Sequence, residues 1–336
     1  MRSGRPRGFH HRWIDLCILL TVLVLAALPV GAQQSKKIPR VGWLSGGDSN
    51  SSRSQVEGFR QGLRELGYVE GQNILLDYRW AEGKSDRYRA LIGELVHLGA
   101  DVIVTWGTQA TLAAKQATHT IPIVAGGAGD LIGAGLVASL ARPGGNVTGL
   151  TNIDPDLSAK RLQLLRETFP KVARVAVLYH GGPGGDQEEL SETQTAARAL
   201  GIQIQRLHVK EPSQFRNGYD AMTKERAEAL VILHGSFTAY HRKELIELAF
   251  KHRLPTMCAS SIWSTDGGLL SYSRDRQDQS RRVAIFIDRI LKGASPAELP
   301  VEQPTKFELV INLKTAKQIG VTIPPNVLAR ADRVIK

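Results

Sequence analysis

The sequence has almost no cysteine: Cys17 and Cys258 are its only two thiols. Two cysteines cannot build a disulfide framework, so the fold depends on buried apolar side chains. The chain has 336 residues, of which 42% are hydrophobic and 22% are charged. That length allows one large domain or two of ordinary size, each able to bury its own core.

Several sequence motifs of cofactor and catalytic chemistry are also missing. No G-x-x-x-x-G-K-[ST] loop is present for nucleotide phosphates, and no H-E-x-x-H is present for zinc. The histidines are scattered without the spacing of metal ligands. The formal net charge is +11, but no basic arm or long Lys/Arg block accompanies it. We therefore expect no cofactor, no metal and no nucleic-acid partner.

The N-terminus has the pattern of an export signal. Four arginines precede the apolar run Leu16–Val30, and the small residues Gly31 and Ala32 follow it. The run is shorter than the ~18–20 residues that a membrane span needs. We predict a signal peptide over residues 1–32 and an extracytoplasmic, periplasmic location; an uncleaved anchor is the alternative.

The remaining chain alternates between short β-rich runs and segments with helical spacing. Eight strands are predicted, at 40–45, 73–81, 101–107, 121–127, 174–180, 202–209, 229–236 and 254–260. The helices predicted between them lie at 54–67, 85–99, 108–117, 131–141, 158–170, 187–200, 213–226 and 239–252, with Ser85 as the N-cap of the second. Such alternation predicts parallel sheets covered by helices on both faces.

The stretch "ARPGGNVTG" (141–149) interrupts the alternation and predicts turns. Because the pattern restarts after it, we predict an α/β fold of two doubly wound, Rossmann-like lobes. A single closed barrel, the alternative, would not need this long break. A further helix at 276–293 and a strand at 306–313 follow the second lobe. Their position indicates that the chain recrosses between the lobes.

Several long strings resemble those of a known family, the periplasmic substrate-binding proteins of ABC transporters of the tryptophan/tyrosine-binding type. The strings are "FRQGLRELGYVEGQNILLDYRWAEGKSDR" (59–87), "GLVASLARPGGNVTGLT" (135–151) and "ILKGASPAELPVEQPTKFELVINLKTAKQIGVTIPP" (290–325). The resemblance covers nearly the whole chain after the leader. It implies a type I periplasmic binding protein, with two lobes joined by a three-segment hinge. The implied lobes are 38–150 plus 276–300, and 151–275 plus 306–336.

Two loops depart from the pattern of that family. The third strand is usually followed by Gly-Gly-Thr-Pro, where this chain has Trp106 to Gln109. The first loop of the second lobe is usually rich in Asn and Pro, and here it reads "HGGPGG" (180–185). Both departures fall where a ligand would lie, so the ligand preference of the family is not carried over.

Ligands of open parallel sheets bind beyond the carboxyl ends of the strands. Side chains at those ends give the candidate ligand-binding residues. They are Ser45, Gly46, Trp106, Thr108, Gln109, Gly127, Asp130, Thr151, His180, Ser236, Phe237, Trp263 and Tyr272. Several have a second interpretation: Thr108 and Asp130 as helix caps, Thr151 as a hinge residue, His180 as an ordinary polar residue, and the aromatics as buried packing.

Two classes of function remain open at this point. The first is a monomeric solute-binding protein that closes on an amino acid or aromatic carboxylate and passes it to an ABC permease with a separate ATPase. A sensory module binding the same ligands without a permease is a variant of it. The second is an exported hydrolase with "HGGPGG" as an oxyanion loop. Because no G-x-S-x-G pentapeptide follows that loop, we expect no catalytic residue and no enzyme.

Overall fold

The computed structural model describes residues 1, 37–152, 154–181 and 186–336, and Pro39–Lys336 is one compact unit of it. The predicted leader, apart from Met1, therefore lies outside the described residues, as do Gly182 to Gly185 of the "HGGPGG" loop. No helix in the described ranges is both long enough and apolar enough to cross a membrane.

Two sheets of mostly parallel strands organise the chain, as the alternating pattern predicts. The first has the order β2-β1-β3-β4-β5 and the second the order β12-β11-β10-β9-β8-β6-β7. The strands of the first sheet are β1 (Arg40–Ser45), β2 (Leu75–Trp80), β3 (Val102–Trp106), β4 (Ile123–Ala128) and β5 (Val147–Thr151). Those of the second are β6 (Arg174–Tyr179), β7 (Gln203–His208), β8 (Ala229–Ile232), β9 (Thr256–Cys258), β10 (Leu270–Arg274), β11 (Phe307–Asn312) and β12 (Arg333–Ile335).

Helices cover both faces of each sheet. Up to residue 200 they are α1 (Arg53–Glu65), a short 3₁₀ turn (Ser85–Arg87), α2 (Tyr88–His97), α3 (Thr108–Ala117), α4 (Asp154–Thr168) and α5 (Asp186–Leu200). The later ones are α6 (Gln214–Lys224), α7 (Ser236–Tyr240), α8 (Arg242–Lys251), α9 (Ser261–Thr265), α10 (Arg276–Leu291), α11 (Leu313–Ile319) and α12 (Pro325–Leu328).

Each sheet separates two apolar clusters because successive side chains of a strand point to opposite faces. In β6, Val175 and Val177 belong to one cluster, whereas Ala176 and Leu178 belong to the other. The first sheet is likewise covered on both faces. Each of the two sheets thus has an apolar cluster on both faces, which confirms the prediction of two doubly wound lobes.

The helix α10 packs on α1 of the first lobe, although it follows the second sheet in the chain. Gly58 and Gly62 of α1 allow this close approach, since a Cβ at Gly62 would lie 2.8 Å from the carbonyl oxygen of Arg281. The segment after α10 stays with the first lobe, where Val301 N donates to Leu140 O at 2.7 Å. Strand β11 then pairs antiparallel with β10 in the second sheet. The lobe bounds implied by the resemblance, 38–150 plus 276–300 and 151–275 plus 306–336, stay a prediction.

Three passages of the chain between the lobes lie side by side. Arg274, at the end of β10, donates to Asn152 Oδ1 of the first passage at 2.5 Å. The next residue, Asp275, donates its N–H to Lys306 O of the third passage at 3.0 Å. Asp275 also caps α10, because its Oδ1 accepts the N–H groups of Gln277 and Asp278. These bonds tie the three passages into one hinge.

Five expectations about local structure were wrong. The predicted turns at 141–149 run into a strand, β5, from Val147 onward. The predicted helix at 131–141 is a series of turns, in which Gly135 has φ +65°. Ser85 lies inside the 3₁₀ turn and makes no capping bond. The helix at 239–252 is divided into α7 and α8, and three strands (β5, β10 and β12) were not predicted.

Candidate functional site

A cavity of about 300 Å³ lies between the carboxyl edges of the two sheets, and we call it the main cleft. Its first-lobe wall comprises Gly83, Ser85, Tyr88, Gly107, Thr108, Gln109, Gly127, Gly129 and Asp130. Its second-lobe wall comprises Asn152, Pro155, His180, Asp186, Gln187, Glu188, Glu189, His234, Gly235, Ser236 and Phe237. The strand ends of both lobes therefore converge on one space.

The first-lobe wall is made of glycines and hydroxyl groups at the ends of β3 and β4. Gly107 has φ +92°, a conformation that favours glycine, and it leads directly into α3. Thr108 does not cap that helix; its Oγ1 accepts the N–H of Gly129 at 2.9 Å. This bond joins the loop after β3 to the loop after β4. The first turn of α3, whose N-cap residue Gly107 offers no side-chain cap, faces the cleft at Thr108 and Gln109.

Asp130 borders the same wall and also stabilises the loop that carries it. Its Oδ1 accepts the N–H groups of Ile132 at 3.1 Å and of Gly133 at 2.8 Å. Asp130 therefore caps a turn and not a helix, since no helix forms at 131–141. Its carboxylate nevertheless remains at the cleft surface, where it contributes negative charge.

The second-lobe wall carries aromatic rings. The imidazole of His180 stacks on Phe237 with ring centroids 4.3 Å apart, and Phe237 in turn contacts Phe215 and His241. Burial lowers the pKa of His180, and the nearby charge of Asp186 opposes the shift. Since a neutral imidazole has a flat, weakly polar face, the His180–Phe237 pair offers a surface on which a planar ligand can stack.

Asp186 fixes the start of the loop that contains His180. Its Oδ2 accepts the N–H of His180 at 2.6 Å and that of Gly181 at 2.9 Å. Asp186 is the first residue of α5 and is 4% exposed. The "HGGPGG" loop is thus attached at its first two residues; the other four lie outside the described residues.

A buried ion pair lies beneath this wall. Arg161 Nη1 donates to Glu189 Oε1 at 2.5 Å, and both side chains are 1% exposed. Glu189 Oε2 accepts the N–H of His234 at 2.9 Å, while Arg161 Nε donates to Tyr272 O at 2.9 Å. The pair therefore connects α4 and α5 with the loop after β8 and with the hinge strand β10.

The lobes touch each other at one edge of the main cleft. A Cβ at Gly46 would overlap both the hydroxyl of Tyr88 and the Oγ of Ser236. Ser236 begins α7 of the second lobe and hydrogen-bonds Tyr88, whose pKa is raised by burial despite this bond. Gly46 thus lets the two lobes approach each other at this edge.

A smaller cavity of about 50 Å³ adjoins the main cleft beside the hinge, and we call it the hinge-side compartment. It shares Gly107, Gly127, His234, Gly235 and Ser236 with the main cleft. Its remaining lining is Ser45, Gly46, Gly47, Ser51, Ser52, Gln55, Trp106, Ala239, Arg274 and Arg276. The site therefore has a large chamber and a small one.

Most of the predicted site residues line one of these two cavities. Ser45, Gly46 and Trp106 border the hinge-side compartment, and Thr108, Gln109, Gly127, Asp130, His180, Ser236 and Phe237 border the main cleft. Trp106 is only 5% exposed, because its ring packs 5.3 Å from Trp43 in the core.

Three predicted residues do not line either cavity. Trp263 is 3% exposed, because α9 turns its ring inward into the core cluster of α8 and β9. Tyr272 lies on β10 and stacks on Phe307, with centroids 6.2 Å apart. Thr151 is buried at the first passage, and its hydroxyl donates to Gly129 O at 3.3 Å. For Thr151 the structure favours the hinge interpretation, and for the two aromatics it favours packing.

Sequence reasoning missed several residues of the site. Tyr88 is the first residue of α2, and the loop before it leaves β2 at the same sheet edge as the loop after β1; that adjacency was the available signal. His234 lies two residues before the candidate Ser236. Arg274 and Arg276 flank the hinge residue Asp275, and no local pattern marks them, since only the pairing of β10 with β11 brings them to the cleft.

The chemistry of the described residues is that of binding. Among them, no three His, Cys, Asp or Glu side chains are grouped so that they could hold a metal ion. Burial raises the pKa of the Cys258 thiol to about 12, which keeps it protonated and unsuited to nucleophilic attack. The walls therefore provide hydrogen bonds, charge and aromatic surface to a guest.

A family model described as "ABC transporter substrate binding protein" matches residues 47–335 of the chain. The chain belongs to this family. Members of the ABC transporter substrate-binding family are extracytoplasmic, bind small molecules and work with a membrane permease; they are binding proteins and not enzymes. This assignment confirms the solute-binding interpretation and rejects the hydrolase.

Individual relatives agree with the assignment. A tyrosine-binding protein of Clostridioides difficile is 23% identical over 290 residues, covering 85% of this substrate-binding protein and 82% of the relative. The structure of an ABC domain from Streptococcus pneumoniae in complex with L-Trp is 27% identical, with a TM-score of 0.82 and coverage of 88% and 99%. A conserved domain protein from Vibrio cholerae is 28% identical, with a TM-score of 0.83 and coverage of 89% and 100%.

Proposed function

We propose that this substrate-binding protein captures a single amino acid or aromatic carboxylate in the main cleft and delivers it to an ABC permease driven by a separate ATPase. The observation that carries the proposal is the enclosed space between two lobes, walled by strand-end groups of both. Its volume of about 300 Å³ is at the lower end of the ~300–1,000 Å³ typical of small-molecule sites. A guest the size of one amino acid suits it.

The chemistry of the walls supports this ligand class. The first turn of α3 presents backbone N–H groups, which favour an anionic group. Asp130 and Glu188 bring negative charge that attracts an ammonium group, and the His180–Phe237 pair offers a stacking surface for a ring. That one relative is named for tyrosine and another was solved with L-Trp agrees with such a guest.

Capture proceeds by hinge closure. The interlobe contact of Ser236 with Tyr88 forms when the lobes approach, and a ligand touching both walls adds to it. Because the full set of ligand contacts exists in the closed form alone, ligand binding shifts the population toward that form. The permease then has a closed shape to recognise.

Thermal denaturation with a ligand series tests the proposal. The purified protein is melted with each of the twenty amino acids and with indole and phenyl carboxylates. A true ligand at a hundredfold excess over its Kd stabilises by ~2.7 kcal/mol and raises Tm. If no member of the series shifts Tm, the proposed ligand class is wrong.

The same proposal includes an exported, monomeric protein without affinity for nucleic acid. Cell fractionation of the full chain is expected to place it outside the cytoplasm, with the leader removed near Ala32. Size-exclusion chromatography coupled to light scattering is expected to give the mass of one chain. A stable dimer, or a cytoplasmic pool with the leader intact, would contradict this part.

A further inference from the structure

The stacked pair of the second-lobe wall takes one ring from each of two separate segments. His180 directly follows β6, whereas Phe237 lies in the first turn of α7, after the loop that follows β8. The ring centroids are 4.3 Å apart, and the ring planes are inclined by 28°. Because the two rings belong to different segments, the relative position of those segments decides whether the rings form one surface.

Both segments are held by carboxylates in the first turn of α5. Asp186 Oδ2 accepts the N–H of His180 at 2.6 Å and that of Gly181 at 2.9 Å. Three residues later, Glu189 Oε2 accepts the N–H of His234, in the loop after β8, at 2.9 Å. Hydrogen bonds from an N–H group to an ionised carboxylate are about twice as strong as neutral ones. One helical turn therefore fixes the distance between the two segments.

These two carboxylates border the main cleft, yet they are almost completely enclosed. Asp186 is 4% exposed and Glu189 is 1% exposed. The protein engages both oxygens of each group, since Asp186 Oδ1 also accepts from Gly181 at 3.1 Å and Glu189 Oε1 accepts from Arg161 Nη1 at 2.5 Å. The carboxylates therefore act on the backbone, and contact with a guest is left to the rings.

Two features compensate the burial of these charges. The first turn of a helix carries partial positive charge, and both acidic residues lie in the first turn of α5. Arg161 adds a full positive charge beside Glu189 and is itself held, because its Nε donates to Tyr272 O at 2.9 Å. Since an ionised carboxylate accepts on both oxygens, Glu189 serves Arg161 and the loop after β8 at once.

We propose that Asp186 and Glu189 are positioning residues that set the preference of the site for aromatic over aliphatic ligands, because they hold His180 and Phe237 together as one stacking surface. The inference rests on the proposed function and adds to it the residues that decide ligand selectivity. Stacking depends on the relative orientation of the rings, whereas burial of an aliphatic group is non-directional. Displacement of either segment therefore weakens a planar guest more than an aliphatic guest of the same size.

A pair of double variants isolates the hydrogen bond to the loop after β8. Arg161→Met/Glu189→Gln and Arg161→Met/Glu189→Leu both remove the buried charges, but only the glutamine leaves an acceptor for the N–H of His234. Isothermal titration measures the Kd of L-Trp, L-Tyr, L-Phe and L-cyclohexylalanine, whose saturated ring cannot stack.

Relative to the wild type, the leucine variant is expected to bind the aromatic amino acids about tenfold more weakly and L-cyclohexylalanine within about threefold. The glutamine variant should keep most of the aromatic preference. An equal Kd of the aromatic ligands in the two double variants overturns the inference. A wild-type protein that binds L-Phe and L-cyclohexylalanine equally also overturns it.

A variant in the other segment and a control complete the set. Asp186→Ala removes the acceptor of the segment after β6 and leaves the buried ion pair in place, so it gives the same test if the double variants do not fold. It is expected to change the Kd values as the leucine variant does. Asp288→Asn neutralises a buried carboxylate of α10 that contacts Tyr68 and Lys292, and it should lower Tm but leave every Kd within about twofold. Equal changes in Kd for Asp186→Ala and Asp288→Asn would assign the effect to lost stability and overturn the inference.

Proton NMR of the histidine-labelled, ligand-free protein measures the ring geometry directly, with the His180 signals assigned from His180→Gln. Because Phe237 stacks on His180, its ring current moves the His180 ring protons to higher field. Asp186→Ala and the leucine variant should lose this shift, and the glutamine variant should keep it. If no aromatic amino acid binds to the wild type, the proposed ligand class and the selectivity fail together. Binding to the wild type with an unchanged ring shift in every variant overturns the inference alone.

Discussion

The two walls of the main cleft present different chemical groups. The first lobe offers glycines, hydroxyls and backbone N–H groups, whereas the second offers stacked rings and carboxylates held by a buried ion pair. In the first lobe the shape of the wall depends on the backbone and on small side chains. In the second it depends on charges that have been removed from water. Substitutions should therefore change mainly ligand affinity in the first wall, and both affinity and stability in the second.

The largest effect is expected from breaking the buried ion pair. Arg161→Met leaves the Glu189 carboxylate buried without its cation, and such losses cost about 3–5 kcal/mol of unfolding free energy. Urea denaturation followed by circular dichroism measures it. Arg161→Met/Glu189→Leu removes both charges and is expected to recover part of the loss. A double variant less stable than the single one would show that the charge itself is not the cause.

A smaller effect, on affinity, is expected in the first wall. Gly46→Ala places a methyl group against the hydroxyls of Tyr88 and Ser236 and hinders closure, so Kd should rise about tenfold, or ~1.4 kcal/mol. Isothermal titration with the best ligand of the thermal series measures it. The control is Gly93→Ala, an exposed helical position with open space around it, which should leave Kd unchanged and stabilise slightly. The comparison fails if both variants bind like the wild type.

The first-lobe counterpart of the ion pair should matter less than the ion pair itself. Thr105 and Thr111 are fully buried, with their Oγ1 atoms 2.8 Å apart, and Thr111 also donates to Gly107 O. Thr105→Val removes one neutral hydrogen bond and is expected to cost about 1 kcal/mol in the same urea titration. If Thr105→Val lowered the free energy of unfolding as much as Arg161→Met, the buried polar contacts of the two lobes would be equally important for stability, against the prediction.

The smallest effect is a pH dependence from the second wall. Burial lowers the pKa of His180 and of His241, each from its ordinary value of 6.5. As pH falls through 6.5 the unfolded chain binds these protons first, so stability decreases until the folded-state values are passed. A small fall in Tm is expected between pH 7.5 and 5.5. His180→Gln should make this fall in Tm smaller, whereas His119→Gln, at an exposed position, should leave it unchanged. A larger fall in Tm for His180→Gln than for the wild type would contradict the prediction.

Regular patterns allowed most of the fold to be predicted, and weak local signals explain the strands that were missed. The strand β10 reads "LSYSR", with serines on alternate positions, and it is stabilised by pairing with β11, more than thirty residues later. The segment 131–141 is rich in small residues that suit a helix. Asp130 instead accepts hydrogen bonds from the N–H groups of Ile132 and Gly133, and these bonds stabilise a turn in place of the helix.

The site shows the same division between local and distant causes. Residues at the ends of predicted strands, such as Thr108 and Ser236, reach the cleft because parallel strands end at one edge. Trp263 follows the same rule in sequence but turns inward, because a large ring gains more from the core than from the cleft. Arg274 and Arg276 reach the cleft because the hinge segments pair over long sequence distances, and no periodic pattern in the sequence predicts that pairing.

The return of α10 to the first lobe also constrains how the chain can be made. Phe59 and Leu63 of α1 share a core with Val283, Phe286 and Ile287 of α10, which are synthesised more than two hundred residues later. Until the ribosome has passed Leu291, one apolar face of the first sheet is covered only in part, by α1. A nascent or truncated chain that ends before α10 therefore exposes an apolar, aggregation-prone surface, to which chaperones would have to bind.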